Sequence, residues 1–367
     1  MNEKQRDSTS QVAAGRSLRP ALIVSQRSVF EYSLFIKRLL VGLADESIQP
    51  ALVCPPDCDI DSIISGAVEV ITYPAIELPF MNIYNRNRLV EQLTKFKPNV
   101  LHCLSESMAG LTKQLARRLE LPYILMVNSL QNRFMRFFIS SKHCVKITVP
   151  AKSIAANMTK VCHRFSERIE LINIGTFAGY DCVCFSAPSR LANMVTVYPL
   201  DKVADFENLF GAIKNLVVND YEFMLAVIGE GRAERQLRKL LAALDLQQTV
   251  TIVPRLKPWR SILAAGDIFI QPQPSSAFNP FLLEAMSAGS AVAACKGGVD
   301  DMIIDGQTAV VFDPNNELSI RSCLQRLFDR KEFARQLAKG AQDYIRENHS
   351  VSKMISATLQ IYGQGQQ

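Results

Sequence analysis

The sequence lacks any apolar run that approaches the roughly 18 residues needed to cross a membrane as a helix. Its first 19 residues are polar and lack the apolar core of a secretory signal peptide. We therefore expect residues 1–19 to form a disordered leader. We also expect the protein to be cytoplasmic, because secretion and transmembrane anchoring both require an apolar segment of this kind.

The cysteines lack the spacing that binds a metal ion or builds a compact disulfide framework. Nine of them are scattered along the chain. Neither Cys54-x3-Cys58 nor Cys182-x-Cys184 has a second Cys or His pair at a suitable distance. The pattern predicts reduced thiols and no bound metal.

The sequence does contain material for two hydrophobic cores, because 48% of its 367 residues are hydrophobic. Short apolar runs alternate with helical segments, and the alternation restarts near Met194 after a linker-like stretch over residues 177–192. Such alternation is typical of parallel sheets covered by helices on both faces. We predict an α/β protein with two Rossmann-like domains, residues 20–185 and 186–345, whose parallel sheets face each other across a cleft. Residues 346–367 form a C-terminal helix that is a candidate to pack back on the first domain.

The net charge of +6 is unevenly distributed, because residues 1–190 carry 23 Lys and Arg against 16 Asp and Glu. An anionic membrane surface or an anionic acceptor explains this asymmetry, and so does a soluble domain with a basic face. The segment from Arg133 to Lys146, RFMRFFISSKHCVK, mixes Arg and Lys with Phe at roughly helical spacing. It is either a helix in peripheral contact with an anionic membrane or a helix that packs its Phe face on the domain core. We do not expect a nucleic acid as a partner.

The stretch from Asp267 to Asp313 has the clearest pattern of a binding site. A strand-like run enters a turn rich in Pro and Ser, and Asn279-Pro280 then opens a helix that Gly289 closes. A small apolar strand follows and leads into the Gly297-Gly298 turn. In an open parallel sheet, strand ends and helix N-termini converge on one crevice, where backbone N–H groups favour a phosphate-bearing ligand. The sequence therefore predicts nucleotide binding.

Short motifs also follow one another in a recognisable order along the chain. They are KPNVLH ending at His102, INIG ending at Gly175, Lys202, IGEG over 228–231, AGDIFIQP over 265–272, FLLEAMSAG over 281–289, GGV over 297–299 and DGQT over 305–308. Any one of them is weak. The ordered set resembles the retaining GT-B glycosyltransferases of family four, also called glycosyl transferases group 1, over nearly the whole chain.

The resemblance implies that a nucleotide-diphosphate sugar lies against the second domain and a glycan, lipid or small-molecule acceptor against the first. It implies that Glu284 accepts hydrogen bonds from the nucleotide ribose and that Lys202 stabilises the diphosphate charge. Backbone amides from Phe278 to Phe281 would cradle the phosphates, although Pro280 has no N–H. The residues implied to contact the donor are Lys202, Gly229, Gly231, Arg255, Leu256, Ser276, Phe278, Asn279, Phe281 and Glu284, and those implied in catalysis are His102 and Asn128.

Each of these side chains also has a purely structural explanation. Glu284 can be a solvated helix residue, Lys202 a solvated loop lysine, and His102 a buried histidine whose hydrogen bonds are satisfied within the fold. The sequence leaves both explanations open.

The chain departs from the family pattern at several charged positions. The first of two expected glutamates is Ser276, an expected arginine is Val197, and an expected histidine is Asn128. The loop expected to be Gly-Gly is Gln26-Arg27-Ser28, and a glutamate expected after Gly298 is Asp301. Each lost charge-assisted contact costs about 1.5–3 kcal/mol. The cations that are candidates to compensate are Arg27, Arg232, Arg255 and Lys257.

Two functions therefore stay open. The first is a metal-independent, retaining hexosyltransferase without a resident cofactor, located in the cytoplasm or on the inner face of the membrane. A DxD carboxylate pair that would hold a cation beside the diphosphate is not evident, because Asp300 and Asp301 are adjacent and Asp57-x-Asp59 falls in a loop of the first domain. The second is a catalytically impaired GT-B-like protein with a degenerate donor site, which binds a glycan, a nucleotide or a partner chain.

Overall fold

The computed structural model describes residues 18–56, 58, 60, 63–64, 68–73, 82–187, 190–254 and 259–364. Most of the predicted leader lies outside these residues. So do two residues implied in donor binding, Arg255 and Leu256, and the candidate cation Lys257.

Seven strands form the first sheet within the described part of the chain, in the order β3-β2-β1-β4-β5-β6-β7. The strands are β1 Pro20–Ile23, β2 Ala51–Cys54, β3 Glu69–Thr72, β4 Val100–Cys103, β5 Tyr123–Met126, β6 Cys144–Val149 and β7 Ile169–Leu171. The helices in this stretch are α1 Gln26–Glu31, α2 Ser33–Asp45, α3 Asn82–Phe96, α4 Ala109–Leu119 and α5 Lys152–Val161, with 3₁₀ helices at Glu106–Met108, Arg133–Phe138 and His163–Arg168.

Six strands form the second sheet, counted over the same described residues, in the order β10-β9-β8-β11-β12-β13. They are β8 Ala192–Val197, β9 Phe223–Ile228, β10 Val250–Val253, β11 Ile268–Gln271, β12 Ala291–Ala294 and β13 Val310–Val311. The helices are α6 Ala204–Val218, α7 Glu234–Ala243, α8 Trp259–Ala264, α9 Pro280–Ala288, α10 Glu317–Asp329, α11 Lys331–Asn348 and α12 Val351–Gln364.

Both sheets are parallel, which confirms the predicted α/β class and the two Rossmann-like sheets. Strands β1, β4, β11 and β12 are buried at every position. Continuous burial is expected of strands with helices on both faces, and it explains why their sequences are unbroken apolar runs.

The chain forms two compact units. The first comprises Met1–Met126, Phe138–Lys146 and Thr358–Gln367, and the second comprises Val127–Phe137 and Ile147–Ala357. This division differs in detail from the predicted limits at residues 185 and 345, which follow the order of elements along the chain.

The predicted helix α9 is confirmed at both ends. Asn279 is its N-cap, Pro280 is its first residue, and Gly289 adopts φ +81° at its C-terminus. A left-handed residue at this place favours glycine, because other residues meet a steric penalty from Cβ.

The core-packing explanation for the segment from Arg133 to Lys146 is wrong. Only residues 133–138 are helical, and they form a 3₁₀ helix that leaves Phe134, Phe137 and Phe138 exposed. A 3₁₀ helix has three residues per turn, so Phe134 and Phe137 fall on one face, and Met135 is the residue that is buried instead. From Cys144 onward the segment is strand β6.

Two helices follow β1, namely α1 and α2, which meet at Tyr32. Ser25 caps α1: its Oγ accepts a hydrogen bond from Ser28 N–H at 3.1 Å, and Ser28 Oγ accepts one from Ser25 N–H at 2.8 Å. This reciprocal capping sets the start of the helix at Gln26. Among the described helices, none is both long enough and apolar enough to span a bilayer.

Candidate functional site

The carboxyl ends of the central strands in the second sheet form the candidate site. From β8 the chain proceeds to β9 and β10 on one side and returns to the other side of β8 with β11. Such a reversal opens a crevice at the strand ends, which is the usual ligand position in open parallel sheets. The family resemblance implies several residues that contact the donor. Those among them that the structure describes lie in the segments after β8, β9 and β11.

The loops that follow β8 and β9 are joined through their backbones. Tyr198 N–H donates to Ile228 O at 3.1 Å and Leu200 N–H donates to Glu230 O at 3.0 Å. In return, Ala233 N–H donates to Leu200 O at 2.8 Å. The two loops therefore form one connected segment at the β8 side of the crevice.

Gly229 and Gly231 allow this close approach. A Cβ atom on Gly229 would lie 2.2 Å from Tyr198 O, and one on Gly231 would lie 2.3 Å from the carbonyl carbon of Leu200. Both obstacles are backbone atoms, so they cannot move without disturbing the loop hydrogen bonds. The structure thus gives both glycines a packing role, and their contact with a donor stays a prediction.

Lys202 lies two residues before α6 and is exposed. Gln273 Nε2 donates to Asp205 O at 3.2 Å, so the loop after β11 is tied to the first turn of the same helix. Lys202 is therefore at the edge of the crevice, where an ammonium group is suited to neutralise a diphosphate.

The structure brings Asn128 together with two residues implied in donor binding. Phe278 N–H donates to Asn128 O at 2.8 Å, and Leu130 N–H donates to Ser276 O at 2.7 Å. Asn128 is 4% exposed, whereas the side chain of Ser276 is exposed. This antiparallel backbone contact joins residues about 150 positions apart in the chain, and no local pattern predicts it.

Asn279 caps α9 with its own side chain. Its Oδ1 accepts hydrogen bonds from Phe281 N–H at 3.0 Å and from Leu282 N–H at 3.1 Å. Its Nδ2 donates to Oε1 of the buried Gln271 at 3.1 Å, which holds the cap in place. The N-terminus of α9 is thus satisfied by side chains of the protein itself.

This cap bears directly on the implied phosphate cradle. Phe278 N–H donates to Asn128 O and Phe281 N–H donates to the Asn279 side chain, and Pro280 has no N–H. A phosphate at this helix N-terminus would therefore compete with Asn279 for its donors.

Glu284 lies in the second turn of α9 and is partly exposed, whereas its neighbours Leu283 and Ala285 are fully buried. It is thus the polar position of an otherwise apolar stretch. A partly exposed carboxylate near a helix N-terminus is suited to accept hydrogen bonds from ribose hydroxyls, and this role stays a prediction.

The loop after β12 is held by Gly298 and Asp301. Gly298 has φ +72°, and a Cβ atom there would lie 2.1 Å from Ser275 O. The Asp301 carboxylate accepts hydrogen bonds from the backbone N–H of Ser153, at 3.1 Å, and from its hydroxyl, in the first turn of α5. Asp301 therefore stabilises a helix N-terminus at the position where the family pattern has a glutamate.

His102, in strand β4 of the first unit, is buried against the C-terminal helix. Its Nδ1 lies 2.7 Å from Tyr362 Oη, and the two rings meet edge to face with centroids 5.5 Å apart. Burial lowers the pKa of His102 to about 3, so the ring is neutral near pH 7. Its Nε2 is buried and has no hydrogen-bond partner in the part of the chain that the structure describes. A role in polar contact with substrate stays a prediction.

Two of the candidate compensating cations have partners in the structure. Arg27 forms an ion pair with Glu31 at 2.9 Å, and Arg232 Nε donates to Asp201 O at 3.4 Å. The second contact places Arg232 beside the loop that carries Lys202. The described side chains contain no group of three or more His, Cys, Asp or Glu residues placed to hold a metal ion.

Sequence comparison identifies the class of protein to which the second half of the chain is similar. Residues 188–344 match the family model described as Glycosyl transferases group 1. Among curated proteins, the sulfoquinovosyl transferase SQD2 of Arabidopsis thaliana is 22% identical over 282 residues, which cover 70% of this chain and 55% of that protein. The chain spans about half the length of the first curated relatives that it matches.

Structural comparison extends the likeness to the whole chain. A glycosyltransferase from Rickettsia africae ESF-5 superimposes with a TM-score of 0.77 at 16% identity, covering 96% of this chain and 99% of that one. Anabaena Alr3699/HepE in complex with UDP-glucose superimposes with a TM-score of 0.75 at 10% identity, covering 95% and 100%. At these identities the likeness establishes the fold, which is that of the GT-B glycosyltransferases.

Proposed function

We propose that this chain, whose residues 188–344 match the family model described as Glycosyl transferases group 1, transfers a sugar from a nucleotide-diphosphate donor. The observation that carries the proposal is the crevice at the carboxyl ends of β8 and β11. Lys202 and the N-terminal turns of α9 lie there within the matched residues.

We propose the identity of the nucleotide from the ligands that are bound in structurally similar proteins. Structures of the HepE protein contain UDP or UDP-glucose. We therefore take a UDP-sugar as the first donor to test, with the ribose bound by Glu284 and the diphosphate beside Lys202. Hexosyl transfer is part of the proposal, as are a glycan, lipid or small-molecule acceptor and a cytoplasmic location.

The proposed reaction retains the configuration at the anomeric carbon and uses no metal ion or resident cofactor. The bond between this carbon and the diphosphate oxygen breaks, and an acceptor hydroxyl oxygen forms the new bond on the same face and loses its proton. The departing nucleotide diphosphate carries the developing negative charge, which Lys202 would stabilise. The Ser276 hydroxyl can donate a hydrogen bond to the sugar or accept one from it, but it cannot supply a negatively charged acceptor.

Replacing Glu284 by alanine or glutamine is expected to weaken nucleotide-sugar binding about tenfold or more, because a charged hydrogen-bond acceptor is lost. The measurement is a calorimetric titration with UDP-, GDP- and ADP-sugars after a thermal-shift screen of the same panel. Glu347→Ala, at an exposed glutamate of α11, is the matched control and should bind like the unmodified protein. Unchanged affinity in both Glu284 variants would remove this residue from the site.

Asn279→Gly is expected to strengthen nucleotide binding about tenfold, because it frees amides that can donate to a charged phosphate. Glycine is itself an acceptable N-cap, so the loss of the cap should cost only a few tenths of a kcal/mol. The loss of the hydrogen bond to the buried Gln271 Oε1 adds about 1–3 kcal/mol to this cost. Asn279→Asp should weaken binding, since its carboxylate retains the cap and repels the phosphate.

The control for the Asn279 variants is Asn316→Gly at the N-cap of α10, where Asn316 Oδ1 accepts from Ser319 N–H at 3.2 Å. This variant should leave the dissociation constant for UDP unchanged. If Asn279→Gly and Asn316→Gly bind UDP equally, the phosphates do not use the N-terminus of α9.

A second candidate function is a GT-B-like subunit that binds a nucleotide, a glycan or a partner chain without transferring sugar. The self-capped N-termini of α1 and α9 favour it, together with Ser276 in place of a carboxylate. If no nucleotide sugar raises the melting temperature while a glycan or a partner protein does, this second function replaces the first.

A further inference from the structure

An exposed aromatic and basic surface lies on the 3₁₀ helix Arg133–Phe138. It consists of Arg133, Phe134, Arg136 and Phe137, which we call the Arg–Phe patch. The two phenylalanines are 56% and 58% exposed, although both are large apolar side chains. Met135 lies between them in the chain and is 5% exposed, so it anchors the 3₁₀ helix while the patch faces outward.

The four side chains of the patch are arranged as two stacked pairs. The Arg133 guanidinium lies 5.7 Å from the centroid of Phe134, and that of Arg136 lies 4.9 Å from the centroid of Phe137. The two phenyl rings are 6.4 Å apart. Each ring thus has a cation beside it, and the patch combines apolar area with positive charge over a small surface.

The patch lies near the end of α5, which carries further basic side chains. Burial raises the pKa of the Cys162 thiol, and the charge of the nearby Arg136 opposes that rise. Cys162 is therefore close to the patch. Around it in the chain, Lys160, His163 and Arg164 are exposed, and Glu167 is the acidic residue of this segment. The basic character is thus shared by two elements of the second unit.

We propose that the Arg–Phe patch docks the protein on an anionic lipid bilayer. Exposed aromatic rings insert at the boundary between headgroups and acyl chains, and arginines that flank them contact lipid phosphates and carboxylates. Long cationic side chains suit this position because their apolar stems can pack on the rings while the charge stays in the headgroup layer. The occupant is the membrane surface itself, and the docking does not depend on the proposed sugar transfer.

Vesicle flotation of the full chain tests the proposal without any nucleotide sugar. The vesicles are phosphatidylcholine alone or phosphatidylcholine mixed with phosphatidylglycerol, at low and at physiological salt. The unmodified protein is expected to float with the anionic vesicles and much less with the neutral ones. Each arginine near the surface contributes about fivefold to the partition coefficient, and higher salt should weaken the binding.

Two variants separate the contributions. Phe134→Ser with Phe137→Ser is expected to lower the partition coefficient at least about tenfold, because the exposed apolar area is removed. Arg133→Glu with Arg136→Glu should abolish the preference for anionic vesicles. Both sites are exposed, and unchanged circular dichroism and melting temperature would show that the fold is retained.

The matched controls carry comparable substitutions elsewhere in the second unit. Phe177→Ser with Tyr180→Ser removes two exposed aromatic residues, and Arg235→Glu with Lys239→Glu reverses two exposed charges on α7. Both controls should float like the unmodified protein. The proposal is overturned if the unmodified protein stays unbound at low salt or if the patch variants float as well as their controls. It is also overturned if the protein binds soluble polyglutamate or nucleic acid through the patch but not the vesicles.

Discussion

Asp267→Ala is expected to destabilise the second unit by about 2–6 kcal/mol, because it removes the acceptor of two backbone amides, each of which costs about 1–3 kcal/mol when left unsatisfied. The Asp267 carboxylate is 2% exposed and lies directly before β11. It accepts hydrogen bonds from Phe185 N–H at 2.6 Å and from Asn193 N–H at 2.9 Å. It also pairs with Arg190 Nη2 at 3.0 Å.

Most of this loss should come from the two amides rather than from the ion pair. The Arg190 side chain is 37% exposed, so water screens its interaction and hydrates it once Asp267 is gone. The backbone amides of Phe185, which is buried, and of Asn193, which is partly buried, lose their acceptor in the variant. Asp267→Asn keeps one carbonyl acceptor and should therefore lose an intermediate amount of stability.

Hydrogen exchange and urea denaturation check this prediction. Peptides that contain the amides of Phe185 and Asn193 should exchange faster in Asp267→Ala, and the unfolding midpoint should fall. Asp181→Ala, at an exposed aspartate four residues before Phe185, is the matched control and should stay within about 0.5 kcal/mol of the unmodified protein. Equal losses in the two alanine variants would contradict the anchoring role of Asp267.

Gly229→Ala is expected to destabilise the second unit by about 1–3 kcal/mol and to weaken donor binding at the same time. The added Cβ would lie 2.2 Å from Tyr198 O, a backbone atom that no rotamer change can displace. The loop after β8 would have to shift, and Lys202 lies four residues beyond Tyr198 on that loop. Gly231→Ala should lower stability and donor affinity in the same way, because its Cβ would lie 2.4 Å from Leu200 O.

Gly179→Ala is the control for these two variants. A Cβ atom there would lie 3.8 Å from Asp181 O, which is ordinary van der Waals contact. Thermal denaturation and nucleotide titration of the three variants should therefore separate Gly179→Ala from the other two. A Gly229→Ala protein with normal stability and normal nucleotide affinity would show that the loops after β8 and β9 are not coupled.

Much of the fold could be predicted because the relevant signals are local. Helix α9 was predicted from Asn279, Pro280 and Gly289, each of which has a conformational preference that marks a helix end. The buried strands were predicted from their apolar runs. The segment from Arg133 to Lys146 was harder, because the same Phe spacing fits a buried helical face and an exposed 3₁₀ turn, and only the packing of Met135 distinguishes them.

The candidate site could be located but not assembled from the sequence. Lys202 and Glu284 were found through their place in a family pattern. That pattern does not show which protein groups already accept hydrogen bonds from the nearby backbone amides. The contact of Asp301 with Ser153 and the anchor at Asp267 were both missed, and so were the hydrogen bonds that the Asn279 side chain accepts from the first amides of α9. The Asn-Pro motif did indicate a cap. An N-cap side chain accepts hydrogen bonds from the next amides of its helix, which here are those of Phe281 and Leu282, so the motif already implied that Asn279 and a phosphate would compete for the same donors.

The sequence by itself determined the alternation of strands and helices, the parallel character of both sheets and the two ends of α9, because apolar periodicity, proline, glycine and capping residues act on the chain within a few residues of their own position. Only the tertiary structure decided which residues share hydrogen bonds at the crevice and which face water. Those choices depend on atoms far apart in the chain, such as Asn128 O and Phe278 N, that meet only when the loops around the second sheet are packed.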